Sequence, residues 1–62
     1  MRNFTAEEKL QAVRREIKKR VDVYKRLVGD NRMSREEADY QIDIMRAIAD
    51  DLSKEAAKER LL

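Results

Sequence analysis

The chain contains no cysteine, no histidine, no proline and no tryptophan, and a single glycine in 62 residues. Without cysteine there is no disulfide. Without cysteine or histidine, ordinary zinc, haem and iron–sulfur sites are excluded. Thr5, Ser34 and Ser53 have no histidine or cysteine to activate them as nucleophiles. No apolar run is long enough to span a bilayer. The first residues, Met-Arg-Asn-Phe-Thr, hold neither a hydrophobic leader core nor a small-residue cleavage site. These absences lead us to expect a soluble, cytoplasmic protein without catalytic residues, cofactor or metal.

What is present is charge. Charged residues make up 45% of the chain, yet the formal net charge is only +2. The two signs are segregated. Residues 1–28 carry nine bases and four acids, a net of +5, whereas residues 29–62 carry six bases and nine acids, a net of −3. A basic half followed by an acidic half suggests two elements lying side by side. Sixty-two residues make one domain at most. A domain this small often needs a staple, and with no disulfide or ordinary metal site the one left is association.

The lone glycine falls in the stretch VGDNRMSREEA, residues 28–38. Gly29 follows an apolar-periodic segment and reads as the left-handed residue just past a helix end. Asp30 and Asn31 are turn formers. Ser34 with Glu37 three residues on reads as a capping box, and Met33 before it can pack on Ala38. The same signature stands at the front, where Thr5 and Glu8 form a box behind Phe4. Two starts and one stop predict helix 1 over about 6–28, a turn over 29–34 and helix 2 over about 35–58. Each helix would be about 35 Å long at ~1.5 Å per residue. So short a connection makes them antiparallel neighbours.

The apolar spacing agrees. Leu10, Val13, Ile17, Val21, Tyr24, Leu27 and Val28 recur at steps of three and four. So do Ala38, Ile42, Met45, Ile48, Ala49, Leu52 and Ala56. Acids lie early and bases late in both helices, complementing the helix dipoles. Glu16–Arg20, Asp22–Arg26 and Asp50–Lys54 stand in the favourable order. Tyr40, Ile44 and Ala47 lie off the main stripe of helix 2, and Val23 lies off that of helix 1. One seam cannot cover so wide an arc. The expected architecture is therefore an all-α antiparallel two-helix hairpin that dimerises into a four-helix bundle. The alternative is that the arc docks a different protein. Tyr40, Ile44 and Ile48 are the expected contact residues. Leu61 and Leu62 either fray or pack on a second copy.

Two charged sets compete with that reading. Arg15, Lys18, Lys19 and Lys25 lie in the basic run of helix 1 and offer possible phosphate contacts. Glu16 and Asp22 interrupt the run, and no aromatics interleave for base stacking, so a solvated helix face is the simpler account. Glu36, Asp39, Asp43 and Asp50 lie near one face of helix 2 and could imitate phosphates or hold a cation. Histidine is absent, and the turn lacks calcium-loop spacing.

The stretch VDVYKRLVGDNRMSREEADYQIDIMRAIADDL, residues 21–52, resembles short uncharacterised phage and prophage proteins of proteobacteria. Val23, Tyr24, Arg26, Val28, Gly29, Arg32, Met33, Ser34, Ala38, Asp39, Ile42, Met45, Ile48 and Asp51 carry the resemblance. It covers about half the chain and brings no catalytic residues. It implies a small accessory protein that acts in the cytoplasm of a bacterial host by binding, for instance by inhibiting a host defence protein.

Overall fold

A computed structural model describes residues 2–61. Among the described residues there are two helices and no strand: α1, Ala6–Gly29, and α2, Arg35–Leu61. They pack against each other as a hairpin of 48 × 21 × 17 Å. Its length is that of its helices, since a 24-residue helix spans about 36 Å. The chain is all-α, as the periodicity of its apolar residues required.

The start of α1 is built as its sequence suggests. The Glu8 amide donates to Thr5 Oγ1 at 3.1 Å, and the Thr5 amide donates to Glu8 Oε1 at 3.0 Å. Both halves of the capping box are closed. At the start of α2 only one half forms. The Glu37 amide donates to Ser34 Oγ at 3.0 Å, but the Glu37 carboxylate turns forward and accepts from Gln41 Nε2 at 3.1 Å. A neighbour one turn on competes with the backbone for the same oxygen.

The turn corrects the reading of Gly29. Gly29 is the last residue of α1, Asp30 is the C-cap, and the left-handed residue is Asn31, at φ 58°. The Arg32 amide donates to the Leu27 carbonyl at 2.8 Å, and the Asn31 amide donates to Val28 at 3.1 Å. This pair of bonds is a Schellman closure. Asparagine is the non-glycine residue best suited to that conformation, because its short polar side chain offsets part of the steric cost. The helix could therefore run through the glycine and reverse two residues later.

The far end of α2 was expected near residue 58, but the helix continues to Leu61. The reason is a contact across the hairpin. The Ala6 amide, one of the unpaired donors of the first turn of α1, donates to Glu59 Oε2 at 3.0 Å and Oε1 at 3.3 Å. A carboxylate at a helix N-terminus is favoured by the dipole and by charge-assisted hydrogen bonding. Glu59 thus ties the two ends of the chain together. Leu61 remains 87% exposed, and Leu62 lies outside the described residues.

The core is thin. Leu10, Ile42 and three alanines, Ala6, Ala38 and Ala56, are buried. Ala6, Leu10 and Ala56 close the end near the chain termini, and Ala38 and Ile42 close the end near the turn. Between them, Val13, Ile17, Met45, Ala49 and Leu52 are only half-buried. The buried positions thus cluster toward the two ends of the seam, with half-buried side chains between them.

Candidate functional site

The hairpin has two long flanks, and they differ in chemistry. On one, an open groove of about 450 Å³ runs between the helices at the turn end. Val21, Tyr24 and Lys25 of α1 line it, opposite Asp39, Asp43 and Arg46 of α2. Each helix turns by about 100° per residue, so Ile44 and Ile48 lie on the other side of the buried Ala38–Ile42–Ala56 line. Val13, Val23 and Leu27 likewise lie on the flank of α1 away from Lys25. The second flank therefore presents Ile44 and Ile48 beside Val13, Val23 and Leu27, and by the same rotation it also carries Lys9 of α1 and Glu37, Asp51 and Glu55 of α2.

Tyr40, Ile44 and Ile48 follow one another at intervals of four and form one ridge on α2. Tyr40 is 61% exposed, Ile44 40% and Ile48 42%. Val23 on α1 is exposed to a similar degree. Ile48, assigned to the main stripe by its spacing, sits at the edge of that stripe and joins the outer ridge instead. Val21, also assigned to the stripe, is exposed beside the groove.

A single ion pair stands among the apolar residues of this flank. Arg20 Nε donates to Glu16 Oε1 at 2.9 Å, and it is the only ion pair among the described residues. The hydrogen bond from Arg20 holds the Glu16 carboxyl below its ordinary range; partial desolvation opposes this, and the charges of Arg20 and Lys19 add to it. The Glu16 carboxylate, and after it the Tyr24 hydroxyl, hold the Arg20 guanidinium above its ordinary value. The pair leaves this stretch of the apolar flank without net charge. Asp22–Arg26 and Asp50–Lys54, which share its spacing, do not close to ion-pair distance. No opposite charges pair between the helices within the described residues either.

No family model matches this chain, and no curated protein or solved structure is significantly similar to it.

The basic set lies along one side of α1, within about a third of its circumference. Arg15, Lys18, Lys19 and Lys25 are all exposed. Lys25 faces the carboxylate-bearing groove, whereas Arg15 borders a separate depression beside Phe4 and Glu8 near the start of α1. Lys18 and Lys19 are adjacent and so diverge by about 100°. The acidic set of α2 does not converge: among the described residues no three carboxylates come together as a metal site would require. No helix among them is long and apolar enough to cross a membrane.

Spacing pointed to the Tyr40–Ile44–Ile48 ridge but could not show that it continues across α1 through Val23 and Leu27. Glu59 was also missed, because its partner lies at the other end of the sequence and nothing local signals it.

Proposed function

We propose that this chain is a non-enzymatic protein-binding module that meets its partner through the apolar flank, with Tyr40, Ile44 and Ile48 as the principal contacts. The carrying observation is the exposure of that ridge. Three large side chains in line on a 62-residue surface form a contiguous apolar patch, and the largest such patch on a small protein is often functional. Aromatic and aliphatic anchors of this kind dominate the energetics of protein interfaces. The partner is a second copy, completing a four-helix bundle, or a host protein. The likeness of residues 21–52 to phage and prophage proteins supports an accessory role in the bacterial cytoplasm, including inhibition of a host defence protein.

The test is retention from a proteobacterial lysate by the tagged chain and by its Ile44→Asp variant. We expect a protein held through a wash at about 0.5 M salt, where phosphate contacts weaken steeply, and lost from the variant. Retention indifferent to Ile44→Asp would reject the face.

A second reading is favoured by one observation: Arg15, Lys18, Lys19 and Lys25 are exposed and make no ion pair among the described residues. On that reading α1 contacts nucleic acid, and nuclease treatment or high salt abolishes retention.

A further inference from the structure

We infer that the apolar flank is covered by a second copy of this chain, with α2 of each copy lying antiparallel along α1 of the other and both turns at the same end of the bundle. This rests on the reading of that flank as the contact surface and names what occupies it.

The first argument is area. The hairpin exposes 5431 Å². A compact monomer of 7.4 kDa exposes about 4,200 Å² by the usual scaling of surface with mass. The excess is about 1,200 Å², comparable to what each partner contributes to a stable homodimer interface and more than the ~800 Å² per side of a standard complex. The hairpin also buries no large side chain completely. It has no disulfide to compensate. A second copy supplies the missing layer and brings the half-buried Val13, Leu27, Met45 and Leu52 into a core.

The second argument is charge, and it selects the arrangement. α1 carries eight bases and four acids, net +4, whereas α2 carries five bases and eight acids, net −3. Two identical hairpins laid flank to flank can be related by a two-fold axis in only two ways. An axis across the helices stacks α1 on α1 and α2 on α2, like charge on like, with the turns at opposite ends. An axis along the helices stacks α1 on α2, basic on acidic, at every seam. Opposite charges lower the energy of the second arrangement and raise that of the first. Among the described residues no ion pair joins α1 to α2, and Lys9 of α1 and Glu37, Asp51 and Glu55 of α2 lie on this flank without an ion-pair partner. Glu16 and Arg20, which lie on the contacting flank, neutralise each other in place.

The test combines mass with distance. Sedimentation of the full chain over a wide concentration range reads the mass. Spin labels at Arg32→Cys, an exposed turn position, read the arrangement. We expect a dimer with the labelled turns about 10–20 Å apart, the spacing of packed helices. A dimer with turns about 35–40 Å apart, the length of a helix, overturns the arrangement and leaves the contact face standing. A monomer at every concentration overturns the second copy as occupant, and the lysate experiment then decides the face alone. Ile44→Asp is expected to weaken the dimer at least tenfold. Should that variant lose its helicity, Tyr40→Ala reads the same contact more gently. A dimer indifferent to both substitutions overturns the occupant and the face together.

Discussion

Ile42 and Ile44 are the same residue on the same helix, two positions apart, yet one is 8% exposed and the other 40%. Ile42 lies on the seam, and its burial belongs to the hairpin. Ile44 lies well round the helix from it, and its half-exposure has no reason within the hairpin. The pair separates two environments that a helical wheel merges into one broad apolar arc: the seam that holds α2 to α1, and the outer ridge that we propose as the contact surface. Substitutions at the two positions should therefore differ in kind as well as in size. Ile42→Ala removes a buried side chain and is expected to cost about 2–4 kcal/mol. That is a large part of the stability of so small a domain, and thermal unfolding followed by circular dichroism should register it at any protein concentration. Ile44→Ala is expected to act through association. Its effect should be large where the chain is assembled and should shrink to within about 0.5 kcal/mol on dilution, as for an ordinary surface position. Equal effects at every concentration would erase the distinction.

The turn allows a smaller test, in which two neighbouring residues are expected to move stability in opposite directions. Asn31 holds the left-handed conformation and Gly29 does not. Asn31→Ala should cost about 1 kcal/mol, because a Cβ without a compensating polar group is strained there, whereas Asn31→Gly should be neutral or stabilising. Gly29→Ala should raise stability by about 0.5–1 kcal/mol, since a Cβ at this helical position meets nothing within 4 Å. Melting temperatures of the three variants decide it. If Gly29→Ala destabilises and Asn31→Ala does not, the reversal has been placed on the wrong residue.

The hairpin was legible in the sequence because its signals are local. Caps, apolar steps and the order of charges all lie within a few residues of one another and agree. The turn was legible as a turn but not in detail. Gly and Asn both serve at the closing position, and the choice between Gly29 and Asn31 depends on how far α1 continues. Glu59 was not legible at all, since its partner is 53 residues away. The exposed ridge of α2 was legible. Tyr40 and Ile44 stood out by lying off the stripe, whereas Ile48 read both as a stripe residue and as a contact, and the packing leaves it exposed at the edge. The basic run was legible as an exposed set, and Arg15, Lys18, Lys19 and Lys25 share about a third of the circumference of α1.

Glu59 bears on the comparison because it locks the closed end of the seam. Replacing it with alanine removes the acceptor for the Ala6 amide and should cost about 1 kcal/mol, in line with loss of an N-terminal cap. Glu59→Gln keeps an acceptor and loses the charge, so it should cost less. Hydrogen exchange at the Ala6 amide reads the contact directly. Faster exchange at Ala6 with unchanged protection at Ala38 would show that the two ends of the hairpin open independently. Loss of protection at both would show a single cooperative unit.

The smallest expected effect lies on the apolar flank itself, at Glu16. Its carboxyl is held below the ordinary value of 4.5 chiefly by the hydrogen bond from Arg20. A carboxylate whose folded value is depressed contributes stability that is fully present above its unfolded value and is lost as pH falls through the folded one. The contribution of this exposed pair is therefore whole at neutral pH and gone in strong acid. Arg20 stays protonated throughout, so the transition belongs to Glu16. Following the Glu16 carboxyl by NMR while pH is lowered should show a midpoint below the ordinary carboxylate value, and Arg20→Gln should return it toward that value. Burial of this flank against a second copy would act on the pair in two opposing ways, strengthening its hydrogen bond and desolvating the carboxylate, which raises its midpoint. A Glu16 midpoint that moves in either direction as the chain assembles would place the pair at the contact.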